Sequence, residues 1–217
     1  MSEKSRALRV LLVGASGAVG QEALKQALAH RDIARVVALT RRPLGLKHAK
    51  LVNPVIDFSA LPDDATWWVC DAMICTLGTT IRQAGSAAAF AAIDRDLPLE
   101  IARRAQTAGA TRCALNSSLG ASPKGNFYLR TKAEAEQGII ALGFTSTTIV
   151  RPSLIDADRT DSRPAERAGI LVARVLRPLI PQRYQPVTPH QIAHALVAGI
   201  VSDTRGLNII ESDQLLD

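Results

Sequence analysis

With 217 residues the chain exceeds the common domain size of about 150 by less than half, which points to one large domain with a full core and a short appendage. Apolar residues make up 47% and charged residues 21%, a balance that excludes disordered, collagen-like and coiled-coil chains. The net charge of +6 comes from 26 basic and 20 acidic residues, the basic ones scattered along the chain, so the reading is a basic surface suited to anionic ligands and no nucleic-acid partner.

Short aliphatic or β-branched runs alternate with Ala-rich amphipathic stretches, the pattern of a Rossmann-type, doubly wound parallel sheet of the α/β class. The first predicted strand, Leu8–Val13, runs into Gly14-Ala-Ser16-Gly17-Ala18-Val19-Gly20 and a helix over residues 19–30. Three glycines at three-residue spacing between strand and helix suit a dinucleotide: Gly14 permits the tight turn, Gly17 admits a pyrophosphate, and Gly20 allows close packing, while the amides of the helix start meet phosphates. The second strand, 36–39, leads into Thr40-Arg41-Arg42, where an acidic residue would favour NAD. Two guanidiniums there suit a 2′-phosphate instead, so NADP(H) is expected over NAD(H). The third strand, 52–56, ends before Asp57 and Phe58, with Asp57 placed to accept from an adenine amino group. The fourth, 72–76, ends at Thr76-Leu77-Gly78, where glycine leaves room for a ribose.

A long helix is predicted over 87–108, followed by a strand over Arg112–Asn116 that delivers Ser117 and Ser118. The next helix, 128–142, opens with Tyr128 and Lys132, four residues apart and therefore on one face. A strand over 146–150 precedes Arg151-Pro152-Ser153-Leu154. Beyond a polar loop at 156–164 come helices over 165–177 and Pro189–Val201, the latter with Thr188 as N-cap, and a last strand over 207–210. Gly14, Arg41, Asp57, Gly78, Ser118 and Arg151 each follow a different strand, and in a parallel sheet those ends share one edge.

Other motifs are weaker. Gly120 to Gly125 has P-loop spacing but continues with Asn126 and Phe127, and no GxSxG elbow exists. His190 and His194 lack a third ligand, so no metal is expected. Cys70, Cys75 and Cys113 form no CxxC pair, and their odd number argues against a disulfide framework and for a reducing, cytoplasmic setting. The start of the chain is charged and its apolar stretch is broken by glycines, so neither a signal peptide nor a membrane span is expected.

Taken together, these residues resemble the short-chain dehydrogenase/reductase superfamily, and more narrowly its atypical, single-domain branch related to Tat-interacting-protein oxidoreductases. The narrower resemblance rests on Cys75-Thr-Leu-Gly-Thr-Thr80, Ala84-Gly-Ser86, Phe90, Asp94-Arg-Asp96, Ser117-Ser118-Leu-Gly-Ala121, Tyr128-Leu-Arg-Thr-Lys132 with Glu134 and Glu136, Arg151-Pro-Ser-Leu154 and Ser162-Arg-Pro164. It implies bound NADP(H), a carbonyl-bearing small molecule as substrate, and catalytic roles for Ser118, Tyr128 and Lys132. It also implies that the Arg151–Leu154 backbone holds the nicotinamide amide. Two features depart from the superfamily pattern: Asp94 stands where it has a helix asparagine, and ten residues separate Ser118 from Tyr128. The relatives also bring in a second reading, a non-catalytic NADPH-binding regulator or redox sensor. A nucleotide-sugar epimerase or dehydratase is a third, for which the roughly 60 residues after the sixth strand look too few.

Overall fold

The structure is a computed structural model that describes residues 7–156, 181–202 and 204–216. Its elements, in chain order, are β1 (Leu8–Val13), α1 (Ala18–Ala29), β2 (Ile33–Leu39), β3 (Leu51–Val52), β4 (Ala72–Cys75), α2 (Ile81–Ala84), α3 (Ala87–Ala91), α4 (Leu97–Thr107), β5 (Arg112–Asn116), α5 (Phe127–Ala141), β6 (Ser146–Arg151), α6 (Pro189–Val201) and β7 (Gly206–Glu211). Among the described residues the strands pair, all parallel, in the order β3-β2-β1-β4-β5-β6-β7. The order reverses between β1 and β4, which makes that gap the switch point of the sheet.

Because side chains alternate across a strand, each central strand feeds two cores. Leu12, Ile74, Ala114 and Val150 face one layer with Leu24 and Leu28 of α1 and Leu196 of α6. Leu11, Met73, Cys113 and Leu115 face the other, with Ile101 of α4 and Ile139 of α5. Burial on both faces is why these strands read as continuous apolar runs rather than alternating ones. On the first face α6 approaches β6 so closely that a Cβ on Gly199 would lie 2.5 Å from Thr148 Oγ1. Thr188 caps α6 in a reciprocal capping box with Gln191.

Two predicted elements differ from the observed ones. The third strand, expected over 52–56, is reduced to Leu51–Val52 and an isolated bridge between Thr40 and Val55. Pro54 has no N–H for a ladder, and the Asn53 amide instead donates to the Ala38 carbonyl at 2.7 Å and to Thr40 Oγ1 at 2.8 Å. The helix expected over 87–108 is interrupted by a π-turn at Ala92–Asp96, where the Leu97 N–H bonds back to the Ala92 carbonyl. The cause is Pro98, which has no N–H for the Asp94 carbonyl and whose ring would clash with it, so the helix widens there. The expected helix over 165–177 lies outside the described residues, as does the Ser162–Pro164 motif.

The interrupted helix is fastened at Phe90, which is fully buried with its ring centroid 5.5 Å from that of Tyr128 and 6.1 Å from that of Phe127 on α5. Replacing Phe90 by Ala is expected to cost about 3–5 kcal/mol, the usual range for emptying a buried aromatic site. Urea denaturation should show this as a lower midpoint with an unchanged slope.

Candidate dinucleotide-binding site

At the carboxyl edge of the sheet, Val13 is in register with Leu39 on one side and Cys75 on the other, so the turns after β1, β2 and β4 begin at one level. Gly14 turns with φ +86, and a Cβ on it would lie 2.5 Å from the Thr76 carbonyl carbon. Thr76 closes the contact by donating both its N–H and its Oγ1 hydroxyl to the Val13 carbonyl, each at 2.9 Å. Gly20 is equally confined, since its Cβ would come within 2.0 Å of the Gly14 carbonyl oxygen.

Gly17 is different. Its backbone is extended, with φ −80 and ψ 165, and an added Cβ would meet only the Gly14 carbonyl oxygen, at 3.5 Å. The fold therefore tolerates a side chain there, and the glycine matters for what lies outside the protein's own atoms. Gly17 is also the N-cap of α1, no side chain caps that end, and the first turn holds no acid. Its amides are thus open to an anion.

These turns border a cavity of about 450 Å³, lined among others by Gly14, Ser16, Gly17, Thr40, Arg41, Phe58, Thr76, Leu77 and Gly78. Nine of the expected cofactor contacts are therefore brought together. Ala18 is exposed just beyond, whereas Val19 and Gly20 are buried beneath the loop. Arg42 is exposed outside the cavity wall. Asn53 sets the course of the loop carrying Arg41, since besides Ala38 and Thr40 it accepts the Leu44 N–H at 2.9 Å. Asp57 lies outside the wall and is drawn into a local turn: its Oδ1 accepts the Ser59 N–H and hydroxyl, and these bonds hold the carboxyl below its ordinary range. Among the described residues Leu39, Thr79, Gln83, Ile93 and Leu97 complete the wall; Thr79 falls in the Cys75–Thr80 motif, and the other four carry no sequence signal of their own.

A second group of side chains adjoins the cavity through Gly78, whose Cβ position is 3.6 Å from Asp94 Oδ1 and 3.9 Å from Lys132 Nζ. Lys132 and Asp94 form a buried ion pair at 2.6 Å, and the Lys132 ammonium stands 5.9 Å from the centroid of the Tyr128 ring. Tyr128 follows the Asn126 N-cap of α5, whose Oδ1 accepts the Leu129 N–H. The short loop before it is held down by the Ser122 N–H, which donates to the Leu129 carbonyl, and by Gly125, where a Cβ would lie 2.6 Å from Leu129 Cβ.

The two serines after β5 separate in role. Ser117 is buried and its hydroxyl donates to Glu136, while Ser118 is half-buried with only a long 3.4 Å contact to the Leu119 carbonyl. Among the described residues, then, the Ser118 hydroxyl has no close partner while that of Ser117 is engaged. Arg151 begins the segment whose backbone is expected against the nicotinamide, and its side chain is a strut: Nε and Nη2 hold Glu136 at 3.0 and 2.6 Å, and Nη1 holds Glu211 at 2.9 Å. In the following segment the Pro152 carbonyl accepts from Leu119, the Ser153 N–H donates to Ser212 Oγ, and the Ser153 hydroxyl donates to the Gln185 carbonyl. Leu154 is exposed.

Cys75, at the end of β4, is fully buried, and burial pushes its thiol up to about 12. It is a core residue with no thiolate to offer. Cys70 and Cys113 are likewise free and buried. Among the described residues no group of three metal-ligating side chains occurs, and no helix is long and apolar enough to cross a membrane.

A parallel sheet with a glycine turn at its switch point and a cavity walled by successive strand ends defines a Rossmann-type dinucleotide-binding protein. The NAD(P)H-binding family profile matches residues 14–200, and the chain belongs to that family, in its atypical short-chain dehydrogenase/reductase group. It is 36% identical over 181 residues to the mitochondrial protein fmp52 of Emericella nidulans, covering 77% of this chain and 75% of that one. It is also 36% identical over 162 residues to protein HTATIP2 of Rattus norvegicus, covering 72% and 66%. Among solved structures, MoeE5 in complex with UDP-glucose and NAD superposes with a TM-score of 0.69 at 17% identity, over 93% of this chain and 74% of that one, a likeness of fold.

Gly17 and Gly20 provide the test of the loop. Gly17→Val is expected to abolish dinucleotide binding, followed by cofactor fluorescence, while leaving circular dichroism and melting near parental. Gly20→Ala should lower the melting temperature, because its Cβ has no space. Normal NADPH binding by Gly17→Val would make the loop a structural turn only.

Proposed function

We propose that the protein is an NADP(H)-dependent oxidoreductase that reduces a carbonyl group of a small molecule. The observation that carries the choice of cofactor is the wall of the cavity: among the described residues that line it, Arg41 is the one charged side chain and none is a carboxylate. A carboxylate there would favour the free ribose of NAD, whereas a guanidinium favours a 2′-phosphate through paired, charge-assisted hydrogen bonds. The amides at the start of α1 and the open face of Gly17 suit the pyrophosphate, and Phe58 and Leu97 offer an apolar surface to the adenine.

When bound, NADPH supplies the hydride. The chain's own residues supply the rest. Ser118 donates to the carbonyl oxygen as negative charge develops on it, and Tyr128 delivers the proton. The Lys132 ammonium, close to the Tyr128 ring and to Gly78, holds the ribose and offsets negative charge on the phenol oxygen. With Cys75 buried as a thiol, Tyr128 is the acid in this reading. The free, buried cysteines support a reducing, cytoplasmic setting.

Calorimetric titration is expected to show tighter binding of NADPH than of NADH. Arg41→Ala should weaken NADPH by roughly ten- to a hundredfold, in line with the ~1.5–3 kcal/mol of charged hydrogen bonds, and leave NADH nearly unchanged. Arg42→Ala should have the smaller effect. Equal or tighter binding of NADH by the parent protein would overturn the assignment.

With a carbonyl substrate identified by following NADPH oxidation across a panel, Tyr128→Phe should lower turnover by about 10²-fold at nearly constant NADPH affinity. Parental turnover would remove Tyr128 from the mechanism. A protein that binds NADPH and oxidises it with no member of the panel would be a binding regulator instead.

A further inference from the structure

The π-turn exists because of Pro98, and its effect is to bring Asp94 inward on the same stripe as Phe90 and Pro98. The Asp94 side chain is fully buried, and that of Lys132 is 7% exposed. A carboxylate so placed needs compensation on both oxygens. Oδ2 accepts the Thr79 N–H at 2.9 Å, and Oδ1 lies 2.6 Å from the Lys132 ammonium without making an aligned hydrogen bond, so that contact is ionic. Thr79 and Gly78 both line the cavity. The pair therefore ties the end of β4, the π-turn and α5 together at the point where cavity and Tyr128 meet. Among the described residues Lys132 faces Asp94, the Tyr128 ring and the buried Cys75 thiol, on which both members of the ion pair act. Glu136, one turn further along α5, is engaged by Ser117 and Arg151.

We infer that Asp94 is a positioning residue that holds the Lys132 ammonium, charged and in place beside Gly78, for the ribose of the cofactor. The inference rests on the dinucleotide-binding reading above. An ammonium has three donors, and the ion pair occupies one side of it, leaving others for hydroxyls. Without the carboxylate, a buried ammonium loses its counter-charge and is drawn toward solvent, which takes the donor away from the cavity.

The test is a double-mutant cycle on the full chain, with D94N, K132M and the double variant titrated with NADPH by fluorescence. Each single variant should weaken NADPH about tenfold, equivalent to ~1.4 kcal/mol, and the double variant should bind no worse than K132M, because Asp94 acts through Lys132. Parental affinity in D94N, or a double variant showing the two losses multiplied, overturns the inference. If K132M binds NADPH as the parent does, the ribose role of Lys132 itself fails; if K132M weakens binding and D94N does not, only the role of Asp94 fails. Thermal melting decides the matter should a single variant fold poorly. Each single leaves a buried charge unpaired, so the double variant should melt above both, and a double variant melting below either overturns the pairing.

Discussion

Val13 sits between Leu39 and Cys75 in two parallel ladders, and its carbonyl takes both hydrogen bonds from Thr76. That double fastening is the constraint on which the rest of the site depends. It brings the turn after β1 against the turn after β4 with no room for a Cβ at Gly14, so the two turns rise as one unit. Since the strands run in one direction, Thr40, Ser117 and Arg151 emerge along the same edge. The reversal of strand order at β1 and β4 then parts the flanking helices and leaves a cleft between them.

Above that edge the charges are arranged in pairs that cost desolvation and return order. Glu136 is buried yet receives the Ser117 hydroxyl and two nitrogens of Arg151, which in turn reaches Glu211 at the end of β7. Arg95 similarly joins the π-turn to Glu134 of α5 at 2.6 Å, although both partners are substantially exposed and water screens that pair. The buried pairs add little net stability compared with apolar packing. What they do is orient: the Glu136 network engages the Ser117 hydroxyl, and the Asp94 pair holds Lys132 beside Gly78.

Much of this was legible in the chain. The glycine turn, the two arginines after β2 and the Tyr128–Lys132 spacing are local signals, and the parallel topology converts local signals at strand ends into a common edge. Six of the seven expected strands have at least four residues in common with the observed ones, and for the central strands continuous apolar runs buried on both faces leave little alternative. The less legible features are those in which a polar side chain chooses among partners distant in sequence. Arg151 looks free until Glu136 and Glu211 are placed beside it, and Asp57 looks like an acceptor until Ser59 folds back on it. The interruption of the helix after Phe90 did have a local sign, Pro98, outweighed by the length of the Ala-rich pattern around it.

The open start of α1 has a thermodynamic consequence. A serine or aspartate accepting at the N-cap would stabilise this helix over glycine by only about a few tenths of a kcal/mol, and Gly17 forgoes it. The unliganded protein carries that deficit in its folding equilibrium, at the base of the first βα unit. An anion that satisfies the amides adds RT ln(1 + [L]/Kd) to stability and removes the deficit at the same stroke. Cellular turnover of such a protein would track its occupancy, with ligand-depleted molecules the first to unfold and be degraded.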